Sequence, residues 1–167
     1  MYPAQAFDKE VRRAFYKRLL DRLREEPGVT SAAAILLRPQ AGPIGWDASY
    51  EFEAGSSDKK VLPTASYEVV ASDYFETLGT PLLEGPDIDS RNLEASEPVV
   101  IVSETLARFL RSAGHAPLGH RARFGSKAGR WSRIVGICKD AVTDLALTRV
   151  PIPSCRICRY GLRLETW

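Results

Sequence analysis

The reading of this chain turns on Val69-Val70-Ala71-Ser72-Asp73-Tyr74-Phe75-Glu76-Thr77-Leu78-Gly79-Thr80-Pro81-Leu82-Leu83-Glu84-Gly85. It opens as the end of a strand, over residues 60–71, in which Tyr67, Val69 and Val70 supply strand-forming side chains and Pro63 marks an edge or a bulge. Ser72 then suits the N-cap of a short helix, with Asp73 and Glu76 in an acidic first turn and Gly79 as its stop. Residues 80–84 return to an extended form, and Gly85 bounds that segment where positive φ is wanted. Strand, helix and strand in so short a run predict a mixed α+β chain.

Working outward, residues 7–26 predict one long amphipathic helix. Phe7, Val11, Phe15, Leu19 and Leu23 recur every four residues, and Ala14, Tyr16 and Leu20 widen the stripe. Pro27-Gly28 ends it. This helix is expected to cover a sheet; its acidic residues argue against a membrane-surface role. Residues 29–37 read as a strand, 40–46 as a loop, and 49–54 as a half-exposed strand with Tyr50 and Phe52 on one face. Downstream, residues 87–97 form a charged loop and residues 98–102 a buried strand. Ser103 caps a helix through Arg111. Residues 121–124 and 131–138 pair as a hairpin, giving largely antiparallel sheets.

Bulk properties narrow the function classes. The chain has 167 residues, 44% hydrophobic and 26% charged, which suits one domain or two small ones. A net charge of +2 does not imply a nucleic-acid partner. Residues 121–167 carry ten Lys/Arg against three Asp/Glu, which reads as a solvated strand face or an abnormal reading frame. The longest apolar run, residues 32–37, is far short of the roughly 20 residues that span a bilayer. The start, Met1-Tyr2-Pro3-Ala4-Gln5, lacks the pattern of a signal peptide. On residues alone the chain would stay in the cytosol unless a segment precedes it.

No catalytic constellation emerges. GxSxG, HExxH, Walker A and GxGxxG patterns are all missing from the sequence. His115 and His120 flank a Pro-Leu-Gly turn without a nearby carboxylate to orient an imidazole. Asp87 and Asp89 lack the further oxygen ligands of a cation loop. Cys138 reads as core, and Cys155 with Cys158 forms a lone CxxC without a second ligand pair. The expectation is therefore no catalytic, cofactor-binding or metal residue, and no cofactor.

Four segments together carry a resemblance: Phe15 to Leu23 with Pro27-Gly28-Val29; Val69 to Gly85; Val99-Val100-Ile101-Val102-Ser103-Glu104-Thr105-Leu106-Ala107; and Pro117-Leu118-Gly119 with Arg123-Phe124-Gly125 and Ile134-Val135-Gly136-Ile137. In that order and spacing the chain resembles the MacB-like periplasmic core domain of ABC-transporter-type permeases, in the flavour of the duplicated acidobacterial permeases, over residues 7–148. The resemblance implies a Porter-like βαβ subdomain with the long amphipathic helix (residues 5–71), plus a small mostly-β insertion subdomain (residues 72–149). It also implies a non-catalytic domain at the periplasmic face of the inner membrane, coupling membrane-helix motion to substrate export or a periplasmic partner. The implied partners are the permease transmembrane helices and a cytoplasmic ATPase subunit; a homodimer is a separate expectation, resting on exposed apolar surface.

Departures are expected to matter. Pro86 stands where relatives carry Arg, and Ser103 where they often carry Asn. Residues 150–167 match nothing in the family and read as a frameshifted or truncated end, so the C-terminal βαβ unit is expected to be missing and these residues poorly packed. One sheet edge and part of the helical stripe would then lie uncovered. The alternative readings are a stand-alone soluble binding or adaptor module, or a non-functional truncated permease fragment.

Overall fold

Val99, Val100, Ile101 and Val102 are all β-branched, the composition of a strand covered on both faces. In the computed structural model they are fully buried. The structure describes residues 9–35, 46–48, 50–53, 65–88, 97–124, 130–140 and 155–160. In chain order the elements are α1 (Lys9–Glu25), β1 (Trp46–Ala48), β2 (Tyr50–Phe52), β3 (Ala65–Val70), α2 (Tyr74–Thr77) and β4 (Leu82–Glu84). They continue with β5 (Val99–Ser103), α3 (Glu104–Ser112), β6 (Arg121–Phe124), β7 (Ser132–Cys138) and β8 (Cys155–Tyr160). The mixed α+β class is as expected.

All eight strands join one sheet in the order β1-β3-β8-β5-β7-β6-β2, with β4 added against β7. Among the described residues the pairings β3–β8 and β5–β7 are parallel and the others antiparallel. Alternate residues of β5 face opposite sides. Val100 and Val102 pack with Leu106, Ala107 and Leu110 of α3 and with Ile134 and Ile137 of β7. Val99 and Ile101 pack on the other face with Tyr74, Phe75, Ile88 and Cys138. Ser103 ends β5 and caps α3, its hydroxyl accepting from the Leu106 N–H at 3.4 Å. Ser serves here as Asn would.

Four expectations need correction. Of the strand expected over residues 29–37, the described part, residues 29–35, makes one bridge, Ile35 to Val70, with the Ala71 N–H donating to the Ala34 carbonyl at 2.8 Å. Ala32, Ala33 and Ala34 have weak strand preference and act as close-packing spacers instead. Trp46 begins β1 rather than ending a loop, because the edge of β3 offers it a partner. The residue before α2 is Asp73, not Ser72; Asp73 is left-handed at φ 63°, and its side chain caps nothing in the helix. The largest correction is at the end of the chain. Residues 155–160 form β8, hydrogen-bonded in parallel to β3 and antiparallel to β5, in the interior of the sheet order. The expectations made for Phe7, Pro63, Asp89, Gly125 and residues 161–167 lie outside the described residues.

Candidate functional site

The motif around Asp73 is held by a compact polar network. Arg24, in the last turn of α1, donates from Nη2 to the Ala32 carbonyl at 2.9 Å and to Asp73 Oδ2 at 2.5 Å. Its Nη1 reaches Asp21 Oδ1 at 3.4 Å. The Thr77 hydroxyl donates to the Asp73 carbonyl at 2.6 Å. Its one proton is thereby used, so the Ser31 hydroxyl, 2.6 Å away, is the donor between the two. Beneath this surface Tyr74 is buried, and its hydroxyl donates to buried Glu68 at 3.3 Å. Asp73 tolerates the left-handed region better than a bulky residue would, and Arg24 fixes it there.

Gly85 and Gly136 explain why two of the quoted segments occur together. Gly85 has φ +77°, and a Cβ on it would stand 2.1 Å from the Val135 carbonyl oxygen. A Cβ on Gly136 would meet Ile101 Cγ1 at 3.1 Å and the Glu84 carbonyl at 3.3 Å. The backbone of β4 therefore lies directly on β7, at the point where β7 shifts register against β5 between Val100 and Ile101. Pro86 follows this contact without disturbing it, its carbonyl 3.1 Å from where a Cβ on Gly136 would stand.

Beyond β7, Asp140 reaches back to the start of α3. Its carboxylate accepts from the Thr105 N–H at 3.0 Å and the Thr105 hydroxyl at 2.6 Å. An acidic group there complements the helix dipole. On the other flank a charge ladder crosses three strands. Glu53 and Glu97 both pair with Arg121, and Glu97 also reaches Arg133. Arg123 pairs with Glu51 and lies over the Trp131 ring at 4.9 Å. The field of Glu97, then that of Glu53, holds the Arg121 guanidinium above its ordinary pKa.

A shallow groove of about 480 Å³ is lined by Glu84, Arg111 and the turn from Gly114 to Leu118, including His115. Arg111 is already paired with Glu84 at 2.5 Å. The His115 N–H closes the end of α3 onto the Leu110 carbonyl, and the His120 carbonyl accepts from the Ile134 N–H. Asp87 accepts from the neighbouring Ile88 N–H. Cys138 is buried and takes part in no disulfide. Among the described residues no three His, Cys, Asp or Glu side chains are grouped so as to hold a metal ion. No described helix is long and apolar enough to cross a membrane.

Among the described residues, α1 carries the main run of exposed apolar side chains. Val11, Phe15, Leu19 and Leu23 are exposed, Phe15 to 55%, whereas Leu20 is buried with Ala32 and Ala71. The stripe expected to cover a sheet thus faces outward, as the expectation of an uncovered stripe requires.

A family model described as the MacB-like periplasmic core domain matches residues 2–157. The chain belongs to this family. Its match to the MacB-like core domain continues past residue 148, into β8. The extracellular domain of the noncanonic ABC-type transporter YknZ from Gram-positive bacteria shares the fold at a TM-score of 0.53 and 12% identity, over 86% of this chain and 61% of that one. The periplasmic region of MacB from Actinobacillus actinomycetemcomitans is 18% identical at a TM-score of 0.48, over 85% of this chain and 52% of that one. The chain therefore spans between half and about three fifths of these structures. No curated protein matches it. As a member of the MacB-like family it is an extracytoplasmic domain of transporter type, and such domains are non-catalytic transporter components.

Sequence reasoning missed Arg24, Asp73 and Asp140 as a set of tethers. Arg24 offered one signal, a basic residue in a last helical turn, which the helix dipole alone explains. Asp140 belongs to the same run as Gly136, yet its partner lies across the fold.

Proposed function

We propose that this chain couples the movement of permease membrane helices to substrate export or to a periplasmic partner, and performs no chemistry of its own. The supporting observation is α1, a 17-residue helix joined to the sheet near its C-terminal end while its apolar stripe stands free. A helix rooted at one end passes a push along its axis to the sheet behind it. In this reading α1 continues from the first membrane span, and residues 1–149 form a partial core domain, Porter-like over 5–71 and insertion-like over 72–149. Of residues 150–167, Cys155–Tyr160 join the sheet as β8, and the remainder is read as an atypical tail. The working partners are the transmembrane helices and a cytoplasmic ATPase, and the apolar stripe favours an isologous homodimer.

The test is fractionation of the native host. A tagged chain should sediment with inner membranes and be crosslinked to an ABC-type ATPase complex, with a crosslinking yield at Phe15→Cys that changes between ATP-bound and nucleotide-free states. A chain found only in a fraction free of membranes and of ATPase would overturn the reading.

A further inference from the structure

We infer that the Arg24–Asp73 ion pair is a releasable latch, and that α1 detaches from the sheet as a separate unit while the rest of the fold stays intact. The inference rests on the geometry of α1 and the Asp73 turn, not on the transporter reading.

The attachment of α1 is narrow. No described strand or helix runs alongside it in extended contact. Leu20 is the one described side chain of α1 that is buried, and its partners Ala32 and Ala71 are small. Little apolar area is therefore lost from water at this joint. What remains is the fork of Arg24, which joins three places at once: Asp21 on its own helix, the Ala32 carbonyl on the following segment, and Asp73 on the turn before α2. A bidentate-capable, always-charged group suits such a junction. Arg24 and Asp73 are 31% and 43% exposed, so water and salt reach the pair.

The connection on the other side is one turn: Pro27 and Gly28 (φ +88°) sit at its centre, and it is closed by the Val29 N–H donating to the Glu26 carbonyl at 3.1 Å. The chain is fixed again by the Ala34–Ala71 hydrogen bond and the Ile35–Val70 bridge. Opening this one-bond turn would move α1 without disturbing β5, α3 or β7, whose core is separate from the Leu20 cluster. Regions with few buried apolar contacts and solvent-reachable polar ties open locally at lower cost than the core. Asp73 supplies the fixed half of the latch, because its left-handed backbone is held by Thr77 and through Thr77 by Ser31.

Hydrogen exchange on the full chain, resolved by peptide, tests the latch. Arg24→Gln should speed exchange in α1 roughly fivefold to tenfold, with β5 and β7 unchanged. Raising salt from about 0.01 M to about 1 M should speed α1 exchange in the wild type and much less in the variant. Arg24→Lys should fall between the two. Asp73→Asn, which still tolerates the left-handed backbone, should reproduce Arg24→Gln from the other side. The inference is overturned if α1 exchanges at the wild-type rate in both variants. It is equally overturned if α1 and β5 lose protection by the same factor, because α1 would then be integral to the fold.

Discussion

α1 and α3 both carry an apolar stripe, far more sharply segregated in α3, and the two have opposite fates. Both are amphipathic, yet Leu106, Ala107 and Leu110 of α3 are buried against β5 and β7, while Val11, Phe15, Leu19 and Leu23 of α1 are exposed. Part of the difference lies in the helices themselves and part in the connection. α3 begins at the last residue of β5, so Ser103 both ends the strand and caps the helix, and the helix folds back on its own sheet. α1 is followed by Pro27-Gly28 and an alanine-rich segment that makes a single bridge. Helical periodicity shows that a face calls for cover; it does not say which part of a protein supplies the cover.

The contrast can be broken or sharpened by substitution. Gly85→Ala should act most strongly, lowering stability by about 4 kcal/mol, because the added methyl meets backbone at a left-handed position. Chemical denaturation would show a lower midpoint with an unchanged slope. Leu106→Ala, under α3, should cost about 3 kcal/mol by the same measurement. Asp140→Ala should cost about 1 kcal/mol, as loss of a helix N-terminal partner does. Phe15→Ser on α1 should change stability by less than about 0.5 kcal/mol. Its readout is sedimentation, where any self-association of the chain should weaken. A large loss of stability from Phe15→Ser would mean that α1 belongs to the core after all.

The legible parts of the fold share one property: their partners lie close in sequence. β5 leads into α3, β6 pairs with β7, and the Tyr74-Phe75 helix follows β3, so local composition and short turns were sufficient. β8 was hidden because its place depends on β3 and β5, both distant in the chain and on opposite sides of it. Its Arg- and Cys-containing sequence carries no run of strand-forming residues to announce it. Asp73 was misread because a serine beside an acidic turn looks like a cap, whereas Arg24, from a distant helix, decides which residue leaves the regular backbone. The tethers at Arg24 and Asp140 were invisible for the same reason.

The charge ladder bears on the order in which the sheet assembles. Arg121 and Arg133 are direct cross-strand partners in the β6–β7 hairpin, and like charges so placed repel. Glu97, two residues before β5, reaches both, and the Arg133 N–H donates to the neighbouring Pro98 carbonyl. The hairpin alone opposes its own closure at this pair; Glu53 beside β2 offsets Arg121, and Glu97 beside β5 offsets both arginines. The hairpin is therefore expected to close together with β5 and not ahead of it. Glu97→Gln should slow folding more than it speeds unfolding in stopped-flow measurements. Unchanged folding with faster unfolding would place the ladder after the rate-limiting step.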